Sequence, residues 1–236
     1  QPRMMAQMER WAEHENVHVR RLASEGCRPR LPWGIALPAL KADPAPILPV
    51  LERLKLDPEE YVRRSVANNL NDIAKDNPQV VLDVLGRWRE HDTPEMRQLM
   101  NRALRMLVKR GDPAALALLG YEAGGRVEVG PVTVKPGAIP MGGEVTFAFE
   151  VRSLSDAPQN LMIDYIVRLV RANGKHTPKV FKLTKASLPP GGALTVTRRH
   201  SFRPVTTRRY YPGPHAIEVQ INGQIMGRAE FLVTDD

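Results

Sequence analysis

The sequence predicts two domains of different class: an all-α solenoid of stacked helix pairs over residues 1–123, followed by an all-β sandwich over residues 124–236. Two observations carry this division. A capping residue followed by proline recurs through the first half, as Asp43-Pro44, Asp57-Pro58, Asn77-Pro78, Thr93-Pro94 and Asp112-Pro113, and alternate members lie 34, 36 and 35 residues apart. Proline suits the first helical position, where the missing N–H has no partner to lose, so each pair should open a helix and two helices should make one repeat. From Gly124 onward the apolar period falls from 3.6 to 2, the signature of strands with one buried face.

In the helical half, repeats of this kind cannot bury their apolar faces alone. Met8, Trp11 and Leu22, then Val81, Leu85 and Trp88, then Leu99, Ala103 and Leu107 are expected to form one continuous core. Val19-Arg20-Arg21 is echoed by Val62-Arg63-Arg64 and more faintly by Met96-Arg97-Gln98, each near the start of the second helix of its pair. The stretch His14-Glu15-Asn16-Val17-His18 matches the H-E-x-x-H zinc signature, which needs both imidazoles on one face of an unbroken helix. A continuous helix would place Glu15 inside the apolar stripe of Met8, Trp11, Val19 and Leu22, so a break with Asn16 as N-cap is expected, and no metal site.

The segment Asp57 to Asn77 reads as one helix, with Asp57 as its cap, Pro58 at the first position and Glu60 completing a capping box. Val62, Val66, Leu70 and Ile73 fall on one apolar stripe. Arg64, Asn68 and Asp72 make a second stripe, flanked by Ser65 and Asn69. Asn, Ser and Asp disfavour helix interiors, so this second face is expected to serve chemistry or binding. Ahead of it, Gly26 should end the Arg20-Arg21 helix, and Pro29 and Pro32 forbid further helix, giving an extended crossing on which Arg28 and Arg30 point to the same side.

Seven strands are expected in the second half, near 126–134, 144–152, 160–171, 179–187, 193–202, 215–221 and 224–233, with a type I′ turn at Asn222-Gly223. Seven short antiparallel strands in this length suggest an immunoglobulin-like sandwich. Arg208-Arg209-Tyr210-Tyr211 should project from one of its ends, with Tyr211 as a structural corner.

Hydrophobic residues at 42% and charged residues at 25% are ordinary for a globular chain. Apolar runs such as Ala114 to Leu119 fall far short of a membrane span, which needs roughly 18 to 20 residues. The single cysteine, Cys27, fits a reducing compartment and reads as a small buried hydrophobe. The net charge of +8 favours an anionic partner, nucleic acid first, and is uneven: +2 in residues 1–123 and +6 in residues 124–236.

The string Arg20 to Trp33, followed by Tyr61 to Lys75, resembles the DNA alkylation repair glycosylases of the AlkC type, over residues 11 to about 120. The resemblance implies a HEAT-like solenoid with a C-terminal immunoglobulin-like domain, acting on duplex DNA that carries cationic alkylated bases such as 3-methyladenine, without base flipping. It maps the catalytic pattern onto Glu25, Asp72 and Trp33. It also implies a monomer of the bacterial cytoplasm, associated with the nucleoid. Family members carry further helical repeats ahead of this segment, so the chain is expected to be the C-terminal portion, weak in DNA binding and poor in excision by itself. Expected DNA contacts are Arg20, Arg21, Arg28, Arg30, Arg63, Arg64, Asn68, Asn69, Lys75 and Arg97 on the helical side and Arg208 and Arg209 on the sandwich.

The residue types suit that chemistry. Breaking an N-glycosidic bond leaves an oxocarbenium-like sugar, which a carboxylate stabilises while a second orients water, and an indole face can meet the cation. A positively charged base leaves without a protonating acid, and no cofactor is implied. Glu25 and Asp72 are expected to face one groove, out of the core, with room for a deoxyribose between them. A non-catalytic binder of damaged DNA would use the same groove but tolerate Glu25→Gln and Asp72→Asn. A protein-binding scaffold would show more aromatic and aliphatic anchors than Arg and Asn.

Overall fold

Apolar stripes and cap residues turn the first half of the chain into helices, in a computed structural model that describes residues 2–206 and 208–235. The helices are α1 (Pro2–Ala12), α2 (Val17–Glu25), α3 (Pro38–Ala42), α4 (Leu48–Leu54), α5 (Glu60–Ile73), α6 (Pro78–Trp88), α7 (Pro94–Ala103), α8 (Arg105–Lys109) and α9 (Pro113–Leu118). The chain divides into two compact units, Gln1–Leu119 and Gly120–Asp236. No helix of the described residues is long and apolar enough to cross a membrane.

The central helix of the first unit is α5, which packs between α2 and α7, so the three helices that carry the echoed Arg motifs lie side by side. Val62, Val66, Leu70 and Ile73 are buried along its inner stripe. The cap-proline pairs act as punctuation, though not uniformly. Thr93 and Asp112 accept the Met96 and Ala115 N–H groups at 3.2 and 2.9 Å, with Pro94 and Pro113 at the first helical positions. Asn77 precedes Pro78 in α6, but its side-chain amide donates instead to the Lys41 carbonyl at 2.6 Å.

Two pairs depart from expectation. Pro44 precedes a 3-10 turn, Ala45–Ile47, in place of an α-helix. Asp57 does not cap α5, which starts at Glu60 with no side-chain cap. Its carboxylate accepts the Glu59 N–H at 3.0 Å and receives Arg20, and that tertiary ion pair holds the residue outside the helix. Glu60 pairs with Arg64 in place of a capping box. Leu22, expected in the core, is 48% exposed.

Asn16 caps α2, its side chain accepting the His18 N–H at 2.8 Å, so the helix is broken between the two histidines of the H-E-x-x-H string. His14 Nδ1 accepts the Asn16 N–H at 3.0 Å, and the His18 ring packs edge-on against Tyr61.

The second unit is a two-sheet sandwich. Strand β4 (Glu144–Ser153) has β7 (Ala193–Ser201) on one side and, in succession, β1 (Val127–Val129) and β2 (Thr133–Lys135) on the other. The second sheet runs β3-β9-β8-β5-β6, where β3 is Ala138–Pro140, β5 Gln159–Val170, β6 His176–Leu188, β8 Gly213–Ile221 and β9 Gln224–Thr234. The single strand expected near 126–134 is two, parted by Gly130 and Pro131, and β3 was not foreseen: three residues crossing to pair in parallel with β9. Period-2 alternation is clean in β4, where Val145, Phe147, Phe149 and Val151 are buried. Asn222 (φ 43°) and Gly223 (φ 84°) make the expected left-handed turn. Asn222 is also buried there, accepting the Met162 N–H at 2.7 Å and donating to the Glu122 carbonyl at 2.7 Å.

Beside this core, His200 stacks edge-on against Phe181 and Phe202 and shares a 3.0 Å hydrogen bond with the Tyr165 hydroxyl. It belongs to the interior, not to the surface cluster in which its neighbours Arg198 and Arg199 lie. Burial, reinforced by Arg208 and His215, pushes its pKa down to about 4, and burial lowers His215 as well. A histidine depressed in the fold favours the neutral state, so its contribution is whole above the unfolded value of 6.5 and is lost as pH falls toward 4. Denaturant titrations of the sandwich from pH 7 to pH 4 should show stability declining by roughly 3 kcal/mol from His200. The His200 ring, followed by NMR, should stay neutral at pH 5.5; a ring already charged there would refute this account.

Candidate nucleic-acid interface and carboxylate cluster

The seam between α2 and α5 is polar. Ser24 donates to Ser65 at 2.6 Å, Ser65 donates to Glu25 Oε2 at 2.7 Å, and Asn69 donates its amide to the Ser24 carbonyl at 2.8 Å. All of these but Glu25 are buried. Ser65 and Asn69, in the middle of α5, are therefore explained by cross-helix hydrogen bonds, and Asn69 is buried and not available to DNA as expected. Cys27 sits in the same seam, its thiol donating to the Ala23 carbonyl at 3.2 Å; burial pushes its pKa up to about 12, which removes it as a nucleophile.

Around this seam the carboxylates are gathered by one guanidinium. Arg28 folds back beneath the end of α2, donating from Nη1 to Glu25 Oε1 at 2.6 Å and from Nε and Nη2 to Asp72 Oδ2 at 2.8 and 2.7 Å. The second oxygen of each carboxylate has its own cation: Arg21 lies 3.3 Å from Glu25 Oε2, and Lys75 donates to Asp72 Oδ1 at 2.8 Å. Burial raises the Glu25 pKa, but the Ser65 hydroxyl, Arg28 and Arg21 outweigh it and hold the carboxyl below its ordinary value. Burial likewise lowers Arg28, and Asp72 and Glu25 together raise it above its ordinary value.

This geometry corrects three expectations. Arg28 is 6% exposed and cannot lie along a phosphate backbone; two carboxylates drawn together at a buried seam need a counter-ion, and Arg28 supplies it. The space expected to hold a deoxyribose between Glu25 and Asp72 is filled by that guanidinium. Asp72 is 2% exposed, against the expectation that both carboxylates stand out of the core, and is paired there with Arg28 and Lys75, whereas Glu25 keeps part of its surface open.

The crossing that follows is built from turns and is not extended. Turns occupy Pro29-Arg30 and Pro32-Trp33, and the Leu37 N–H closes the loop on the Pro29 carbonyl at 3.1 Å. Arg28 and Arg30 consequently diverge, Arg30 forming a forked pair with Asp76 at 2.7 and 2.6 Å. Trp33 at the tip is fully exposed with φ 63°, a left-handed conformation costing an L-residue roughly 1 to 2 kcal/mol. Ile35, two residues on, is exposed as well.

Other expected contacts divide by what holds them. Arg20 is tied to buried Asp57 at 2.6 Å, and Arg63 donates to the Pro58 carbonyl at 2.7 Å and to the Asp57 carbonyl. Both brace the turn before α5. Arg21 lies over the Tyr61 ring, 4.3 Å from its centroid. Arg64, Lys75 and Arg97 are exposed beside Glu60, Asp72 and Asp92, and Asn68 is half-buried. Arg105 was missed: exposed on α8, it is partly desolvated, which with Arg28 and Arg102 lowers its pKa while Asp72 opposes them, so its charge acts beside the same cluster. Its position 33 residues beyond Asp72, close to one repeat, was the available signal.

On the sandwich, Arg208 and Arg209 line a cleft of about 610 Å³ together with Arg171, Asn173, Thr177 and Tyr211. Arg209 stands 5.4 Å over the Tyr211 ring, and Arg208 donates to the Tyr210 hydroxyl at 3.3 Å.

Residues 1–107 match the family model described as DNA alkylation repair enzyme, and residues 128–235 match that of the C-terminal Ig-like domain of the uncharacterised protein YhaZ. The chain is 44% identical over 233 residues to the uncharacterized protein YhaZ of Bacillus subtilis (strain 168), an alignment covering 99% of this chain and 64% of that protein. Its fold is similar to that of the Pseudomonas fluorescens alkylpurine DNA glycosylase AlkC bound to DNA containing an abasic site analog. The TM-score is 0.94 and the identity 41%, over 99% of this chain and 65% of that one. The chain thus spans just under two thirds of the length of these relatives.

If Arg28 is the strut of the cluster, Arg28→Met should destabilise the helical unit by about 3 kcal/mol, because both carboxylates lose a buried partner. Arg30→Ala, which breaks a solvent-facing pair, should leave the denaturation midpoint almost unmoved. Equal midpoints for the two variants would contradict the assignment.

Proposed function

We propose that this chain, which carries a DNA alkylation repair enzyme domain in its helical unit and a YhaZ C-terminal Ig-like domain in its sandwich, provides the catalytic groove of a DNA glycosylase. Its substrate is duplex DNA with cationic alkylated purines such as 3-methyladenine, read in the stacked helix without base flipping, in the bacterial cytoplasm. The observation that carries the reading is the pair of carboxylates, Glu25 and Asp72, gathered at one seam by Arg28. Likeness to an alkylpurine DNA glycosylase supports the substrate class.

The chemistry follows from charge. As the C1′–N bond breaks, its electron pair leaves with the base, which departs neutral, and positive charge moves onto the sugar. A carboxylate fixed before the reaction begins stabilises that charge without reorganising, and this is Asp72's role. Glu25, the more open of the two, accepts a proton from the water that adds to C1′. The Trp33 indole, held out by a strained backbone, offers its face to the cationic nucleoside. Arg64, Lys75 and Arg97 meet phosphates on the helical side, and Arg208 and Arg209 meet them on the sandwich.

Asp72→Asn in the intact protein should abolish release of methylated base from alkylated duplex while lowering affinity for that duplex by no more than about tenfold, since the lost charge acts chiefly on the transition state. Equal loss of both would assign Asp72 to structure alone, and unchanged release would favour a non-catalytic binder. Arg208→Ala with Arg209→Ala should weaken binding to damaged and undamaged DNA alike and flatten the slope of log K on log salt by about 0.9 for each phosphate no longer neutralised. An unchanged slope would remove the sandwich from the DNA interface.

A further inference from the structure

The two oxygens of Asp72 are not held alike. Oδ2 takes two donors from Arg28, whose side chain is 7% exposed and anchored a second time on Glu25. Among the described residues, Oδ1 takes a single donor, the Lys75 ammonium, from a side chain that is 37% exposed. Lys75 follows the C-cap of α5, in the turn closed by its own N–H on the Asp72 carbonyl, so its four-carbon stem reaches back over the carboxylate from the solvent side. Besides the nearby charge of Arg105, Asp72 therefore has one ion-paired cation built into the fold and one resting on it.

We propose that Lys75 is a specificity-determining residue: a displaceable counter-ion whose ammonium occupies, on Asp72 Oδ1, the place taken by the positively charged nucleoside. This rests on the reading of Asp72 as the carboxylate that faces the reacting sugar. A cationic lesion exchanges for the ammonium one charge for one, and the buried carboxylate is never left short of a partner. A neutral nucleoside that pushed Lys75 aside would leave Asp72 Oδ1 desolvated and unpaired, a penalty that it cannot offset. The site thereby selects for charge, independently of the shape of the base, and the ammonium, once displaced, is free to settle on a neighbouring phosphate.

Binding of two duplexes by the intact protein isolates this exchange. One holds a pyrrolidine abasic analogue, cationic where the sugar would be, and the other a neutral tetrahydrofuran analogue; the phosphates are the same, so any phosphate contact of Lys75 cancels in the ratio of affinities. Wild type should prefer the cationic duplex. Lys75→Met and Lys75→Gln, which leave Oδ1 open, should raise that preference by about threefold to tenfold, the range expected for relief of a half-exposed ion pair. Asp72→Asn should reduce it to about one. A preference unchanged in both Lys75 variants, with Asp72→Asn still levelling it, would overturn the role of Lys75 and leave the carboxylate reading intact. A preference that survives Asp72→Asn would overturn the carboxylate reading, and this proposal with it.

Discussion

Two carboxylates drawn to one seam between helices repel each other and lose hydration, and the helical unit solves both problems with a single buried guanidinium. Arg28 spans Glu25 at the end of α2 and Asp72 at the end of α5. A lysine could neutralise one carboxylate but has no planar fork with which to satisfy two at once. The serines and Asn69 along the same seam complete the polar lining, so successive repeats are keyed here by hydrogen bonds and charge, where most of the solenoid relies on apolar contact. The ends of α2 and α5 are thereby fixed relative to each other. Any chemistry done by these carboxylates proceeds from a geometry set before substrate arrives.

This arrangement also revises what a count of basic residues means. Arg20, Arg28, Arg30 and Arg63 are among the residues that make the helical half look ready for an anionic partner. Each directs its donors to the protein's own acids and carbonyls. Of the other cations expected at the interface, Arg64 and Arg97 keep exposed side chains on α5 and α7 and Lys75 stands beyond the end of α5, each beside an acid. Attraction for a polyanion depends on these outward charges, since paired interior ones contribute mostly dipoles to the surrounding field.

What the sequence made legible was local. Thr93 and Asp112 announce α7 and α9 because a cap and a proline act within a few residues of each other, and alternation in Glu144 to Arg152 marks β4 because pleating acts on neighbours. The two-class architecture, the capped break at Asn16 and the turn at Asn222 were readable for the same reason. Asp57 was misread because its partner, Arg20, lies 37 residues away; the Arg28–Asp72 and Arg30–Asp76 pairs span 44 and 46. Each is a contact across neighbouring repeats, and no periodicity within one helix reports it. The division near residue 130 and the short β3 escaped because three-residue strands carry too little pattern to register. For the cluster itself, the stripe on α5 singled out Asp72 and Asn69 as an open face, yet packing against α2 and its following turn buries both.

Trp33 has a consequence for anyone who would engineer this chain. Glycine would relax its backbone and remove a large hydrophobe from water, so a redesign scored on folding alone would discard this indole among its first choices. The residue stands against the direction in which a stability-optimised library drifts. Thermostable variants selected without an activity screen would be expected to lose it early, leaving proteins that fold more firmly around a site with its aromatic face gone.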